Sequence, residues 1–197
     1  MSAYTNQNID FVFRTQQILK QYENIKKNRR TDGYEFTLLM NCFVGLLIIP
    51  QQINERRRGN VPSPADILSE TDIIDENNFG INPNDIVICV GIGRLNVNDK
   101  SLRNVVRHFR HSVAHSRFEV LSNNGIISSV IFRDNDSNDN PTFELELSIE
   151  KIHKFANKIS DCFLDVMAND IESGCNFEQY KEKNKNKYRD INDIDIY

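Results

Sequence analysis

The chain lacks the features that mark a secreted, disulfide-bonded or membrane-spanning protein. Its four cysteines lie far apart without a C-x-x-C spacing, which favours reduced thiols over a disulfide framework or a zinc ribbon. The N-terminus has no basic segment followed by an apolar stretch, so we expect no signal peptide. The most apolar run, residues 36–49, is too short to span a bilayer and predicts a buried helix. These absences predict a cytoplasmic protein that makes no membrane contact.

Length and composition are those of one globular domain. A chain of 197 residues can bury a sizeable core, and 39% apolar residues are too many for a fully disordered chain. From about residue 172 the sequence becomes polar and repetitive. We therefore expect one domain over residues 1–171 and a loose polar tail over residues 172–197. The net charge of −4 argues against a protein that coats nucleic acid, so any such contact is expected at a local basic surface.

Residues 100–118 form such a basic segment. They contain five lysines and arginines and no acidic residue, and they hold three of the four histidines of the chain. On a helix the apolar residues share one side, namely Leu102, Val105, Val106, Phe109 and Val113. The opposite side carries Arg103, Arg107, His108, Arg110, His111 and His115. With Asp99 as the N-cap, the pattern predicts a helix over residues 99–119 whose basic face binds an anion.

Most of the remaining chain is predicted to be helical. Apolar residues recur at helical spacing over residues 5–28 and 34–49, and Pro50 is expected to end or kink the second helix. A last amphipathic helix follows Ser148 as its N-cap and carries His153 on its surface.

Strand signals are confined to short segments. Alternating apolar and polar residues predict strands at residues 126–132 and 142–147, joined by a polar turn over residues 134–140. Residues 86–90 fit either a short strand or a buried turn. We therefore predict a mainly α fold, a helical bundle with a small β-hairpin insertion.

The basic face has the residue types that cleavage of RNA by its own 2′-hydroxyl requires. Histidine exchanges protons near neutral pH and serves as acid or base, and arginine stays charged and binds two phosphate oxygens. Arg110 and His115 lie about 140° apart around an ideal helix, with Arg107 and His111 between them. The expected phosphate contacts are Arg103, Arg107 and His108.

Two other interpretations of this helix stay open. His111 and His115, with Glu119 one turn further on, would offer two imidazoles and a carboxylate to a metal ion. However, Ser112 replaces the glutamate of the H-E-x-x-H metalloprotease motif, and three nearby arginines repel a cation. We therefore expect no metal and no other cofactor. In the third interpretation the basic face binds a partner and performs no chemistry.

The segment RHSVAH resembles the signature of the HEPN superfamily, an arginine followed after four to six residues by a histidine. Arg110 and His115 match it with four residues between them, and His111 takes the position after the arginine, where the family prefers a polar residue. The apolar helix before the motif, the hairpin and the closing helix are also similar to one prokaryotic branch of HEPN nucleases. The resemblance covers residues 5–170.

This resemblance implies a HEPN-like helical bundle that dimerises, with two motif helices meeting at a composite site. It implies metal-independent RNA cleavage that leaves a cyclic phosphate and a 5′-hydroxyl, in a family rich in toxins and antiviral defence effectors. By position, Arg110 and His115 are the catalytic pair and His111 supports them. The implied partners are RNA, a second copy of the chain and an antitoxin or defence-system protein. The alternative is a HEPN-like module that binds RNA or protein without catalysis.

Overall fold

A computed structural model describes residues 7–28, 35–56, 74–91 and 98–185. The helices in these ranges are α1 (Gln7–Asn28), α2 (Glu35–Arg56), α3 (Glu76–Phe79), α4 (Leu102–Ala114), α5 (Ile149–Ile171) and α6 (Phe177–Lys183). The strands are β1 (Ile86–Cys89), β2 (Phe118–Asn123), β3 (Ile126–Asn135) and β4 (Pro141–Ser148). None of the helices within these ranges is long and apolar enough to cross a membrane.

The four strands form one antiparallel sheet in the order β1-β4-β3-β2. Phe132 of the inner strand β3 pairs with Phe118 of β2 on one side and with Leu145 of β4 on the other. On the far side of β4, Cys89 of β1 lies opposite Phe143. Because side chains alternate along a strand, every second residue of β3 and β4 faces the helices.

The aromatic core fixes α4 against the sheet. The ring centroid of Phe109 lies 5.0 Å from that of Phe132 on β3 and 5.0 Å from that of Phe155 on α5. The rings of Phe43 on α2 and Phe143 on β4 each lie 5.5 Å from Phe109. All five rings are fully buried, and burial of one such ring stabilises the fold by about 1.5–3 kcal/mol.

The predicted fold class, a mainly helical bundle with a hairpin insertion, is wrong. The two hairpin strands exist as β3 and β4, but β1 and β2 extend them into a four-stranded sheet, and the fold is mixed α/β with helices layered on that sheet. β2 was missed because its first residues were assigned to the end of the basic helix. β1 has only four residues, too few for periodicity to distinguish a strand from a turn.

The basic helix begins later than predicted. Its N-cap is Ser101, whose hydroxyl accepts a hydrogen bond from the amide of Asn104. Asp99, the predicted N-cap, lies two residues earlier, and its carboxylate accepts a hydrogen bond from the Ser101 amide at 3.1 Å. Both residue types satisfy free amides, so composition alone did not distinguish the two positions.

The basic helix also ends earlier than predicted, because a Schellman motif closes it. His115 is the C-cap, and Ser116 adopts a left-handed φ of 53°. The Arg117 amide donates to the carbonyl of Ser112 at 2.7 Å, and the Ser116 amide donates to that of Val113 at 3.2 Å. The chain then turns into β2 instead of continuing as a helix.

The three long helices predicted outside the basic segment are present. α5 starts after Ser148, whose hydroxyl accepts from the amide of Lys151, as predicted. α2 continues past Pro50 to Arg56, so Pro50 does not end it. A proline inside a helix costs about 3 kcal/mol. The buried side chains that precede it offset that cost, namely Leu39, Met40, Phe43, Leu46 and Leu47.

His153 is not the surface residue that the sequence predicted. Its side chain is 12% exposed, and its Nδ1 lies 3.5 Å from Oε1 of Glu23 on α1. The apolar stripe of α5 was identified correctly, but α1 packs beside that stripe and covers the neighbouring face as well. A position next to an apolar stripe is therefore a weak sign of exposure.

The first part of the predicted loose tail, residues 172–185, contains the helix α6. A capping box at Asn176 starts the helix, and Phe177 is buried with its ring centroid 5.6 Å from that of Phe13 on α1. The segment was predicted to be loose because most of its residues are polar, although it contains one buried aromatic residue. Residues 186–197 lie outside the described residues, and the domain boundary stays a prediction.

We expect Phe177→Ala to lower the free energy of unfolding by about 3 kcal/mol, because it removes a buried ring from the contact between α6 and α1. Chemical denaturation followed by circular dichroism measures the change. Glu178→Ala, at the next and exposed position of the same helix, is the control. Equal stability of Phe177→Ala and wild type would show that α6 is not part of the folded unit.

Candidate active site

The C-terminal end of α4 brings three predicted site residues together at the surface. Nη2 of Arg110 lies 2.9 Å from Nε2 of His111, and the ring centroid of His111 lies 6.4 Å from that of His115. The His111 side chain is 32% exposed, and His115 is exposed because the chain turns away at Ser116. We call Arg110, His111 and His115 the α4 cluster.

A buried carboxylate lies beneath the α4 cluster. Asp134 of β3 is 2% exposed. Its Oδ2 accepts hydrogen bonds from Nδ1 of His108 at 2.9 Å and from Nδ1 of His111 at 3.1 Å. Its Oδ1 accepts from Nη1 of Arg117 at 3.1 Å and from the amide of Asn135 at 3.0 Å. These four bonds use the acceptor capacity of the carboxylate.

The environment keeps Asp134 ionised. Burial raises the pKa of this carboxyl, but the hydrogen bonds from His108 and His111 lower it by more, so the pKa lies well below its usual range. An ionised carboxylate only accepts hydrogen bonds. Both histidines must therefore carry a proton on Nδ1.

His108 binds the Asp134 carboxylate from the buried side of α4. Its Nε2 lies 2.9 Å from Nη2 of Arg107 and 2.9 Å from the carbonyl of Val90, and its ring stacks on Phe143 at a centroid distance of 4.9 Å. The ring has no exposed surface, so its predicted place on the exposed basic face was wrong. The hydrogen bond to Asp134 offsets the free-energy cost of burying the polar imidazole. His108 therefore lacks the solvent access that a phosphate contact requires.

Of the predicted phosphate contacts Arg103 and Arg107, the structure gives hydrogen-bond partners for Arg107 within the protein. The Arg107 guanidinium donates to the side-chain carbonyl of Asn104 at 2.7 Å and to the carbonyl of Val90 at 2.9 Å. Burial lowers the pKa of Arg107, although an arginine remains charged in proteins. Arg103 is half-buried one turn earlier on the helix.

The donor set considered for a metal ion does not assemble. Glu119 lies on β2, not one helical turn beyond His115, and its carboxylate binds Nη1 of Arg133 at 2.9 Å. Within the part of the chain that the structure describes, no three histidine, cysteine or acidic side chains are grouped as metal ligands.

A family model described as HEPN pEK499 p136 matches residues 1–170 of the chain. The chain belongs to this HEPN family. Its membership of the HEPN superfamily, predicted from the sequence, is thereby confirmed. No curated protein and no solved structure matches the chain. The catalytic roles of Arg110 and His115 and the assignment to a defence branch stay predictions.

The sequence prediction missed the residue that organises this HEPN domain's site. Asp134 was assigned to the turn that follows the first hairpin strand, whereas it lies within β3. A usable signal was present, because Val130, Phe132 and Asp134 are spaced by two and therefore share the inward face. A charged residue at an inward position needs a partner, and it points to the polar side chains of the facing element. Arg117 was missed as well, since it was expected to be helical.

We expect Asp134→Asn to lower the free energy of unfolding by about 3 kcal/mol at neutral pH, because a neutral amide is a weaker acceptor for His108, His111 and Arg117. Urea denaturation measures the loss. The matched control is Asp139→Asn in the same hairpin, since Asp139 is exposed and its left-handed φ of 63° suits asparagine.

The pH dependence of this difference has a defined sign. The folded-state pKa of Asp134 lies below its ordinary value of 3.8, so its contribution is complete above that pH and is lost as the pH falls below it. The gap in unfolding free energy between wild type and Asp134→Asn should therefore shrink on acidification below pH 3.8. A gap that widens there would mean that the protonated acid, not the carboxylate, stabilises the fold.

Proposed function

We propose that this HEPN domain is a metal-independent endoribonuclease that cleaves RNA by attack of the 2′-hydroxyl on the adjacent phosphate. The observation that carries the proposal is the α4 cluster itself. A guanidinium and two imidazoles lie side by side at the surface of a protein with a net charge of −4. The residue types are those that phosphate binding and proton transfer require.

Proton transfer is assigned to His115 and phosphate binding to Arg110. In the reaction the 2′-oxygen bonds to phosphorus and the bond from phosphorus to the 5′-oxygen breaks. A base takes the 2′-hydroxyl proton, and an acid protonates the departing 5′-oxygen. His115 suits such a role because it is exposed. Arg110 stabilises the charge that develops on the phosphate oxygens, and His111 supports it from 2.9 Å away.

A second copy of the chain completes the proposed site. One copy offers His115 as its free imidazole, whereas the reaction needs an acid and a base. Nδ1 of His111 donates to Asp134, and its Nε2 faces Arg110. A two-fold axis beside the end of α4 would place the second His115 across the same phosphate. We therefore propose a homodimer with a composite site.

The flanking RNA is assigned to the remaining arginines of α4. Arg103 and Arg110 are seven residues apart, which is about 10.5 Å along a helix, so the two can contact different phosphates of one strand. Arg107 lies between them but is held by Asn104 and Val90. We assign phosphate binding outside the cleaved bond to both Arg103 and Arg107.

Cellular roles follow from the proposed chemistry. A ribonuclease that needs only RNA and a second copy of itself damages the cell that makes it unless it is restrained. We propose that the protein is a toxin or an antiviral defence effector, with an antitoxin or defence-system partner that controls it. The support is membership of the HEPN family over residues 1–170, together with the resemblance of the RHSVAH segment to the signature of HEPN nucleases.

We expect His115→Ala to lower the rate of RNA cleavage by about 10²–10⁴-fold, since it removes proton transfer. The fold should survive, because His115 is exposed and leaves no core cavity. Arg110→Ala should cause a loss of similar size, and the double variant should lose little more, since both residues act on one transition state. Single-turnover cleavage of a labelled RNA pool measures these rates.

The matched control is Arg133→Ala. Arg133 is an exposed arginine on the opposite face of the sheet, where Glu119 and Glu144 already neutralise it. Its removal should leave cleavage unchanged. Growth of cells that express each variant is the second readout. Equal toxicity of wild type and His115→Ala would refute the nuclease, and RNA binding that is lost in Arg110→Ala without any cleavage would indicate the binding module.

Cleavage should persist in excess chelator and leave cyclic phosphate and 5′-hydroxyl ends, because histidines and arginines supply the chemistry. Product ends are identified by mass spectrometry of a short defined RNA. Stoichiometric zinc held by His111 and His115, with cleavage lost when the zinc is removed, would replace this mechanism by a metal-dependent one.

A further inference from the structure

Asp134 is linked to the α4 cluster at the protein surface through one of its four hydrogen bonds, the bond to His111. The carboxylate is 2% exposed, and two of its donors have partly exposed side chains, Arg117 at 35% and His111 at 32%. Its bond to His108 leads to Arg107, which is held in turn by Asn104 and Val90. Its bond to His111 leads outward, because the far side of that ring faces the Arg110 guanidinium at 2.9 Å.

The proton positions in this chain of contacts are determined by its two ends. The carboxylate of Asp134 accepts, so Nδ1 of His111 must donate. The guanidinium of Arg110 only donates, so Nε2 of His111 must accept. A neutral His111 with its proton on Nδ1 meets both conditions. The opposite tautomer would set two donors against each other at Arg110 and two acceptors against each other at Asp134.

The contact with His111 restricts Arg110 before any RNA arrives. A free arginine side chain samples many rotamers, and ordering it on binding costs free energy. An acceptor held at 2.9 Å from Nη2 removes part of that freedom in advance. The ring can serve in this way only while its own orientation is fixed, and the bond to Asp134 fixes it.

We propose that Asp134 is a positioning residue for Arg110 and acts through His111. The carboxylate holds the imidazole and the imidazole holds the guanidinium, and we call this chain of two hydrogen bonds the relay. This role rests on the proposed nuclease function. It differs from the stabilising role of Asp134, which uses all four of its hydrogen bonds, because only the bond to His111 leads to the α4 cluster.

The first test does not depend on catalysis. Long-range ¹H–¹⁵N NMR reports which ring nitrogen of each histidine carries the proton, and His111→Ala assigns the His111 signals. In wild type we expect the Nδ1–H tautomer of His111 and an ordered Arg110 Nε–H signal. In Asp134→Asn the tautomer preference should be lost and the Arg110 signal should become more mobile. Asp139→Asn should match wild type in both.

The second test is a double-mutant cycle on RNA cleavage. Asp134→Asn and His111→Ala should each lower kcat by up to about 10²-fold, the cost of a displaced reacting group, with a smaller effect on KM. The kcat of the double variant should be no lower than that of His111→Ala alone, since the loss of His111 already separates Asp134 from Arg110. Losses that multiply would assign the effect of Asp134 to general loosening of the fold.

The outcomes separate this inference from the nuclease proposal. If His111 of the wild type is in the Nε2–H tautomer, the relay is refuted whether or not RNA is cleaved. If the protein cleaves RNA and a folded Asp134→Asn variant has an unchanged kcat, the relay is also refuted. No cleavage by wild type, with the expected tautomer and an ordered Arg110, refutes the nuclease and leaves the positioning contact standing. If Asp134→Asn does not fold, the wild-type tautomer and the mobility of Arg110 in His111→Ala decide the question.

Discussion

A carboxylate inside the protein constrains the arrangement of everything around it. Asp134 faces the core from β3, where an ionised group costs several kcal/mol unless donors surround it. The donors come from three places: His108 and His111 on α4, Arg117 in the turn that follows, and the amide of Asn135 on the strand itself. Helix, turn and strand are therefore tied at one point.

The apolar core and this polar tie constrain different degrees of freedom. Contacts between the rings of Phe109, Phe132 and Phe155 hold α4 on the sheet, but burial of apolar surface is not directional and tolerates rotation of the helix about its axis. The hydrogen bonds from His108 and His111 to one oxygen atom are directional. They fix the rotation of α4, and with it the side of the helix that presents Arg110 to solvent.

How far the sequence predicted this arrangement depended on the range of the interactions involved. The apolar stripe of α4 and the cap of α5 at Ser148 are local patterns, and both were identified. The end of α4 depends on pairing between Phe118 and Phe132, and the burial of His108 depends on Asp134, which is 26 residues away in sequence. Periodicity carries no information about such partners. Arg110 and His115 were singled out because they match the spacing of the HEPN signature, since residue type alone does not separate them from the other arginines and histidines of the helix.

The position of the α4 cluster at the end of its helix determines how an anion can be bound there. A helix N-terminus would offer free amides to a phosphate, whereas the C-terminal end presents carbonyls with partial negative charge. That end favours the Arg110 guanidinium in the absence of RNA, so the fold stabilises the charge of the cluster. The same carbonyls repel a phosphate, and the Schellman motif at Ser116 already uses two of them. In the proposed nuclease, side chains alone must therefore hold the phosphate, so their orientation and the buried carboxylate behind them control its binding.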